Sequence, residues 1–198
     1  MNSVAEYFDE MSAIWDDAVL HNKTYIREVL KLLKIKEGDK IADVGCGTGV
    51  LIDYIREINR FGTITEIDIS QKMLNMSRAK NYSDDNIRYL KLDINNSKLE
   101  GLFDVIILYD TLPYIANKLD VVTELYTTNL NIEGRLAIFH SRGEEQINLS
   151  LAHGDRRICD SYLPIFDNYL NELYNKGCKV IYSSNKSNDY TIILVKDI

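Results

Sequence analysis

Ile41-Ala-Asp-Val-Gly-Cys-Gly-Thr-Gly-Val-Leu51 is an apolar strand that breaks into three glycines at alternate positions and then re-enters an apolar helical pattern. A strand, a glycine turn and a helix in one unit are how doubly wound α/β domains let backbone approach a nucleotide at the strand's carboxyl end. Gly45, Gly47 and Gly49 follow G-x-G-x-G, not the G-x-G-x-x-G with which dinucleotide folds seat a pyrophosphate on a helix N-terminus. Asp43, at the end of the strand, suits a cation.

Outward from this turn, strand and helix patterns alternate, which predicts a largely parallel sheet with helices on both faces. Val4, Phe8, Met11 and Trp15 share one helical face, and Ile26, Val29, Leu30 and Leu33 another, so two helices are expected before a sheet that begins at Lys40. Leu51, Ile55 and Ile58 then make a helix stripe, residues 63–69 a second strand, and residues 70–80 a helix capped by Ser70. Further strands are expected over 87–92, 105–109 and 134–140. Leu119, Val122, Tyr126 and Leu130 stripe one later helix, and Ile165, Tyr169, Leu173 and Tyr174 the last. Residues 178–183 and 190–196 alternate apolar with polar around Asn185-Lys-Ser-Asn188, the pattern of a closing antiparallel hairpin.

The turn with its preceding Asp43 resembles the first motif of class I S-adenosylmethionine (SAM) dependent methyltransferases, and the likeness covers roughly residues 21 to 198. The fold so implied is a Rossmann-like, doubly wound α/β domain. It has a seven-stranded, mostly parallel sheet between helical layers, an α-β-α sandwich ending in an antiparallel hairpin. One domain is expected over 1–198, with residues 1–35 as N-terminal helices and lid and 36–198 as the SAM-binding core. The resemblance implies that Asp43, Gly45, Cys46, Gly47 and Gly49 hold the amino acid half of SAM or of its product S-adenosylhomocysteine (SAH). Asp68 stands 19 residues after Gly49, near the spacing at which an acid receives ribose hydroxyls, and is favoured over Glu66 on the same strand face. Ile69 and Met73 follow it into the next helix. Asp93 matches the family's acid for the adenine amino group, with Ile94 flanking the ring.

The fourth strand ends in Tyr109-Asp-Thr-Leu-Pro-Tyr114, where the family meets cofactor on one side and acceptor on the other. The segment lacks the paired prolines with which some amino methyltransferases hold a planar nitrogen, and is more similar to small-molecule members. Tyr109 is expected at the cofactor and Asp110 at the acceptor. Tyr7-Phe-Asp-Glu-Met-Ser-Ala-Ile-Trp-Asp16 resembles the opening segment of small-molecule members, which folds over the site, and makes Tyr7 or Trp15 the expected cover of the sulfonium. Methyl transfer disperses charge, so alignment and exclusion of water matter more than a covalent intermediate. A hydroxyl or ammonium acceptor must also lose a proton, and His140 ends the fifth strand facing the expected pocket. His140 and Asp110 are therefore the catalytic candidates, while His153 beside Asp155, Arg156 and Arg157 reads as a solvated helix end. Cys46 and Cys178 read as structural, and Cys159 has no assigned place.

Composition bounds the partners. A net charge of −7, from 23 basic and 30 acidic residues, works against nucleic acid. The acidic N-terminus is unlike a secretory signal, and no apolar run reaches the roughly 20 residues of a membrane span, so a cytoplasmic chain is expected. The three cysteines show no C-x-x-C, and no compact ligand motif joins His140, His153 and Asp110, so neither a disulfide scaffold nor a metal is expected. The reading is methyl transfer from SAM to a small-molecule acceptor, giving SAH. The alternatives are a protein or RNA methyltransferase working with a partner, and a SAM-binding regulatory protein without turnover; a nicotinamide dehydrogenase is disfavoured by the glycine spacing.

Overall fold

The computed structural model describes residues 3–158 and 161–197, so Cys159 lies outside the described residues. Its strands are β1 (Ile41–Val44), β2 (Ile64–Asp68), β3 (Ile87–Lys91), β4 (Phe103–Tyr109), β5 (Leu130–His140), β6 (Lys179–Lys186) and β7 (Asp189–Val195). They form one seven-stranded sheet in the order β3-β2-β1-β4-β5-β7-β6. The first five are parallel neighbours, and β7 runs antiparallel to both β5 and β6. The chain winds from β1 outward to β3 and returns across β1 to β4. The winding thus reverses between β1 and β4, where strand carboxyl ends open a crevice.

The helices are α1 (Ser3–Met11), α2 (Trp15–Ala18), α3 (Lys23–Leu32), α4 (Ile52–Arg56), α5 (Gln71–Lys80), α6 (Lys118–Glu124), α7 (Glu144–Ala152) and α8 (Phe166–Asn175). Alternation along the strands builds two cores. Ile41, Ile64, Val105, Ile107 and Phe139 pack with Ile26, Leu30, Ile52 and Ile55 of α3 and α4. Val44, Ile67, Ile106, Leu136 and Ile192 pack with Val122, Leu151 and Leu173 of α6, α7 and α8. A parallel sheet covered on both faces needs apolar side chains at successive positions, and each buried aliphatic contributes about 1.5–3 kcal/mol. Burial, not helix propensity, therefore holds α4, whose five residues are too few to be helical alone.

Four local expectations change. The face Val4–Trp15 is not one helix: the Ser12 hydroxyl donates to the Asp9 carbonyl at 2.9 Å, α1 ends at Met11, and Trp15 opens the separate turn α2. Three helical segments, not two, precede β1. The stripe ending in Leu130 stops earlier, because a π turn over Leu125–Asn129 hands Leu130 directly to β5, which starts four residues before Gly134. Residues 144–152, not assigned from periodicity, form α7. Among the described residues, no helix is long and apolar enough to cross a membrane.

Candidate active site

The glycine turn lies at the crevice floor. Its start is pinned to β2, with the Gly45 and Cys46 amides donating to the Ile67 carbonyl at 2.7 and 3.1 Å. Gly45, Gly47 and Gly49 take φ of 74°, 55° and 79°. Their surroundings differ. A methyl on Gly45 would lie 2.2 Å from Thr111 Oγ1, and one on Gly49 2.2 Å from Ser77 Oγ, whereas one on Gly47 would meet only Trp15 Nε1 at 3.8 Å. Packing requires the outer glycines; the middle one leaves backbone open to a cavity of about 350 Å³.

Acids and apolar side chains from four strand ends meet around that cavity. Asp43, Asp68, Asp93, Ile94, Ile69, Met73, Tyr109 and Trp15, all singled out from the sequence, line it. Asp68 accepts from the Gly47 amide at 2.9 Å and the Ser70 amide at 2.8 Å. Burial pushes its carboxyl up to about 6 against these bonds, so the carboxylate form prevails at neutral pH. Asp93 accepts from the Asn95 and Asn96 side chains, which orders the loop after β3. Asp43 is 1% exposed, and neither carboxyl oxygen has a hydrogen-bond partner among the described residues. Burial, reinforced by Asp68, raises its pKa.

The N-terminal helices close one side of the cavity. Val4 and Phe8 of α1 and Trp15 of α2 line it, with Phe8 edge-on to both Trp15 and Tyr114 at 5.5 and 4.9 Å between ring centroids. Tyr7 does not line it; its ring packs on Phe8 and lies under the Arg157 guanidinium. Two acids clasp the segment to the core. Asp9 accepts from the Ser70 hydroxyl at 2.5 Å, and Asp16 accepts from Thr48 of the glycine turn and from Lys80 at 2.8 Å.

On the β4 side, Asp110 has φ 53°, an uncommon value for a residue with a side chain and one that clusters at functional positions. Its carboxylate lines the cavity and stands 3.1 Å from His140 Nδ1. His140 itself is 1% exposed and does not line the cavity, so it backs Asp110 instead of facing an acceptor. His153 bonds the Leu149 carbonyl at the end of α7 and lies outside the cavity lining. His21, not singled out from the sequence, does line it. Its Nδ1 is 3.0 Å from the Tyr109 hydroxyl, and burial lowers its pKa against the pull of Asp110 and Asp16. Nothing local in the sequence marks His21, because its place depends on the α2–α3 connection crossing the end of β4.

Together these features define a nucleotide site of the doubly wound class, with an open glycine backbone and a buried carboxylate in place of a phosphate cradle. Residues 42–136 match the methyltransferase domain family model. The chain is 31% identical over 97 residues to the malonyl-[acyl-carrier protein] O-methyltransferase of Pectobacterium atrosepticum, a match covering 49% of this chain and 36% of that protein. The first curated relatives are thus longer proteins, of which the chain matches about a third to a half. Among solved structures, the magnesium protoporphyrin IX methyltransferase of Synechocystis PCC 6803 with bound SAH superposes with a TM-score of 0.74 at 16% identity, covering 98% of each chain. The Haloferax volcanii methyltransferase in complex with the Trm112 activator gives 0.76 at 17%, covering 96% of this chain and 98% of that one. The [4+2]-cyclase SpnF gives 0.77 at 14%, covering 100% and 97%. The chain thus has the fold of class I methyltransferases, and just under half of it matches a methyltransferase domain. The cyclase makes plain that this fold by itself does not decide the reaction.

Proposed function

We propose that the chain transfers a methyl group from SAM to a small-molecule acceptor. Asp43 carries the reading: a wholly buried carboxylate with both oxygens unpartnered, beside an open glycine backbone, fits the ammonium of an amino-acid-bearing nucleoside and not a pyrophosphate. Asp43 and the glycine turn with Cys46 would hold the amino acid half, Asp68 the ribose hydroxyls, and Asp93 with Ile94 the adenine. Ile69 and Met73 add apolar wall. SAM, when bound, supplies a methyl on a sulfonium, and the protein's task is to align the acceptor and exclude water. Phe8 and Trp15 exclude water on the lid side. Asp110 faces the acceptor, either accepting its proton or holding its positive charge, while His140 fixes the Asp110 carboxylate from behind.

The net charge of −7, which works against a nucleic acid acceptor, supports a small one. The likeness to an activator-bound methyltransferase supports a second reading, in which a partner presents a macromolecular acceptor. SAM carrying a labelled methyl, incubated with the protein and a fractionated cell extract, distinguishes them. Label is expected in the small-molecule fraction. Label in protein or RNA alone supports the second reading, and bound SAM with no label in any fraction refutes methyl transfer.

A further inference from the structure

Behind the glycine turn the sheet carries polar side chains where a parallel sheet covered on both faces ordinarily carries apolar ones. Tyr89, Glu66 and Asp43 stand side by side on β3, β2 and β1, directly above the apolar row Ile87, Ile64 and Ile41. Glu66 is fully buried and Asp43 nearly so. The Ser77 hydroxyl of α5 donates to Glu66 Oε2 at 3.3 Å, and the Cys46 thiol of the turn donates to the Gly47 carbonyl at 3.6 Å. Glu66 Oε1 and both Asp43 oxygens have no partner.

Among the described residues, the groups packed around this pair do not supply a counter-charge. The turn contributes Cys46; β2 contributes Asp68, whose oxygens are taken by backbone amides; β3 contributes Tyr89; and β4 places Ile107 beside Asp43. From α1, Asp9 adds a further acid on the Asp68 side. From α5, Arg78 lies over the Tyr89 ring, its guanidinium 4.8 Å from the centroid. Two neighbouring buried carboxyls without a cation cannot both ionise, and they titrate as a pair. Burial raises the Glu66 carboxyl well above its ordinary range, and Asp43 adds to this.

We propose that Asp43 and Glu66 form a proton-exchanging pair, which keeps a proton while the site lacks positive charge and releases it to solvent when a ligand's ammonium docks against Asp43. The step breaks one carboxyl O–H bond, transfers the proton to buffer and leaves the ligand's ammonium intact. Glu66 thereby makes binding of an amino-acid-bearing nucleoside depend on pH where binding of the neutral nucleoside does not. This rests on the SAM reading of the site.

Calorimetric titration of the full chain at pH 7, in two buffers of different ionisation enthalpy, counts the protons. SAH is expected to release about one proton, and 5′-methylthioadenosine, which shares the nucleoside thioether but lacks the amino acid end, none. SAH affinity of the parent falls as pH drops below neutral, by up to about tenfold per pH unit. In Glu66→Gln, whose amide can donate to Asp43, both the proton release and this pH slope diminish. SAH binding with a buffer-independent enthalpy in the parent overturns the proposal. Infrared spectra of the ligand-free protein test the pair without any ligand: a protonated carboxyl carbonyl band present at neutral pH and lost in Glu66→Gln is expected, and its absence from the parent overturns the proposal. If that band is present but SAH does not bind, the SAM reading fails instead, and the proposed release to a docking ammonium falls with it.

Discussion

Gly47→Ala folds with little loss of stability and binds SAH poorly, whereas Gly45→Ala loses stability first. At Gly47 the added methyl meets nothing closer than Trp15 Nε1 at 3.8 Å, so the cost to folding is the left-handed backbone alone, about 1 kcal/mol. That lowers Tm by about 2–4 °C for a chain of this size. The methyl stands on backbone open to the cavity, and a loss of about 1.4 kcal/mol there already weakens binding tenfold. At Gly45 the methyl would overlap three atoms of Thr111, whose hydroxyl bonds the Gly45 and Tyr109 carbonyls. Left-handed strain and overpacking together cost about 3–4 kcal/mol, or about 10 °C in Tm. Melting curves beside SAH titrations separate the two variants; equal destabilisation of both would show that Gly47 is also a packing residue.

Asp68→Ala weakens SAH binding more than a hundredfold. Its carboxylate holds the Gly47 and Ser70 amides and is the proposed acceptor for ribose hydroxyls, and hydrogen bonds to a charged group are worth about 1.5–3 kcal/mol each. Two such losses come to about 3 kcal/mol or more, which is over a hundredfold. Stability falls less, by about 1–2 kcal/mol, because removing a buried charge offsets part of the cost of two stranded amides. The pH dependence has a definite sign. The folded pKa is raised, to about 6, so the proton-linked stability is full below the unfolded value and is lost as pH rises through about 6. Binding runs the opposite way, since hydroxyl donors need the carboxylate, and weakens as pH falls through about 6. Calorimetry with SAH between pH 5 and 8 checks this; an affinity loss under tenfold in Asp68→Ala removes Asp68 from the ribose role.

The fold was legible where local chemistry and tertiary demand agree. Ile41 to Val44 is buried on both faces because both are covered, with Ile41 in one core and Ala42 and Val44 in the other, and Ser70 caps α5 through the Met73 amide at 3.1 Å. The positions of Asp43, Asp68 and Asp93 were legible because each lies within two residues of where an apolar run and its strand stop. Helix ends were less so: Ser12 breaks α1 through one side-chain bond, and the π turn at Leu125–Asn129 keeps an apolar stripe that reads as unbroken helix. In the site, periodicity assigns His140 to a strand end but not to a depth, and it lies beneath Asp110 instead of beside the cavity. His21 and Phe8 reach the cavity only through the path of the N-terminal segment, which Asp9 and Asp16 hold by contacts more than thirty residues distant in sequence.

If this crevice holds SAM and SAH, each of them raises the melting temperature of the full chain. At a concentration 100 times Kd, SAH stabilises by about 2.7 kcal/mol and raises Tm by about 5–10 °C, with NAD leaving Tm unchanged. A rise with NAD and none with SAM or SAH would make the crevice a dinucleotide site instead.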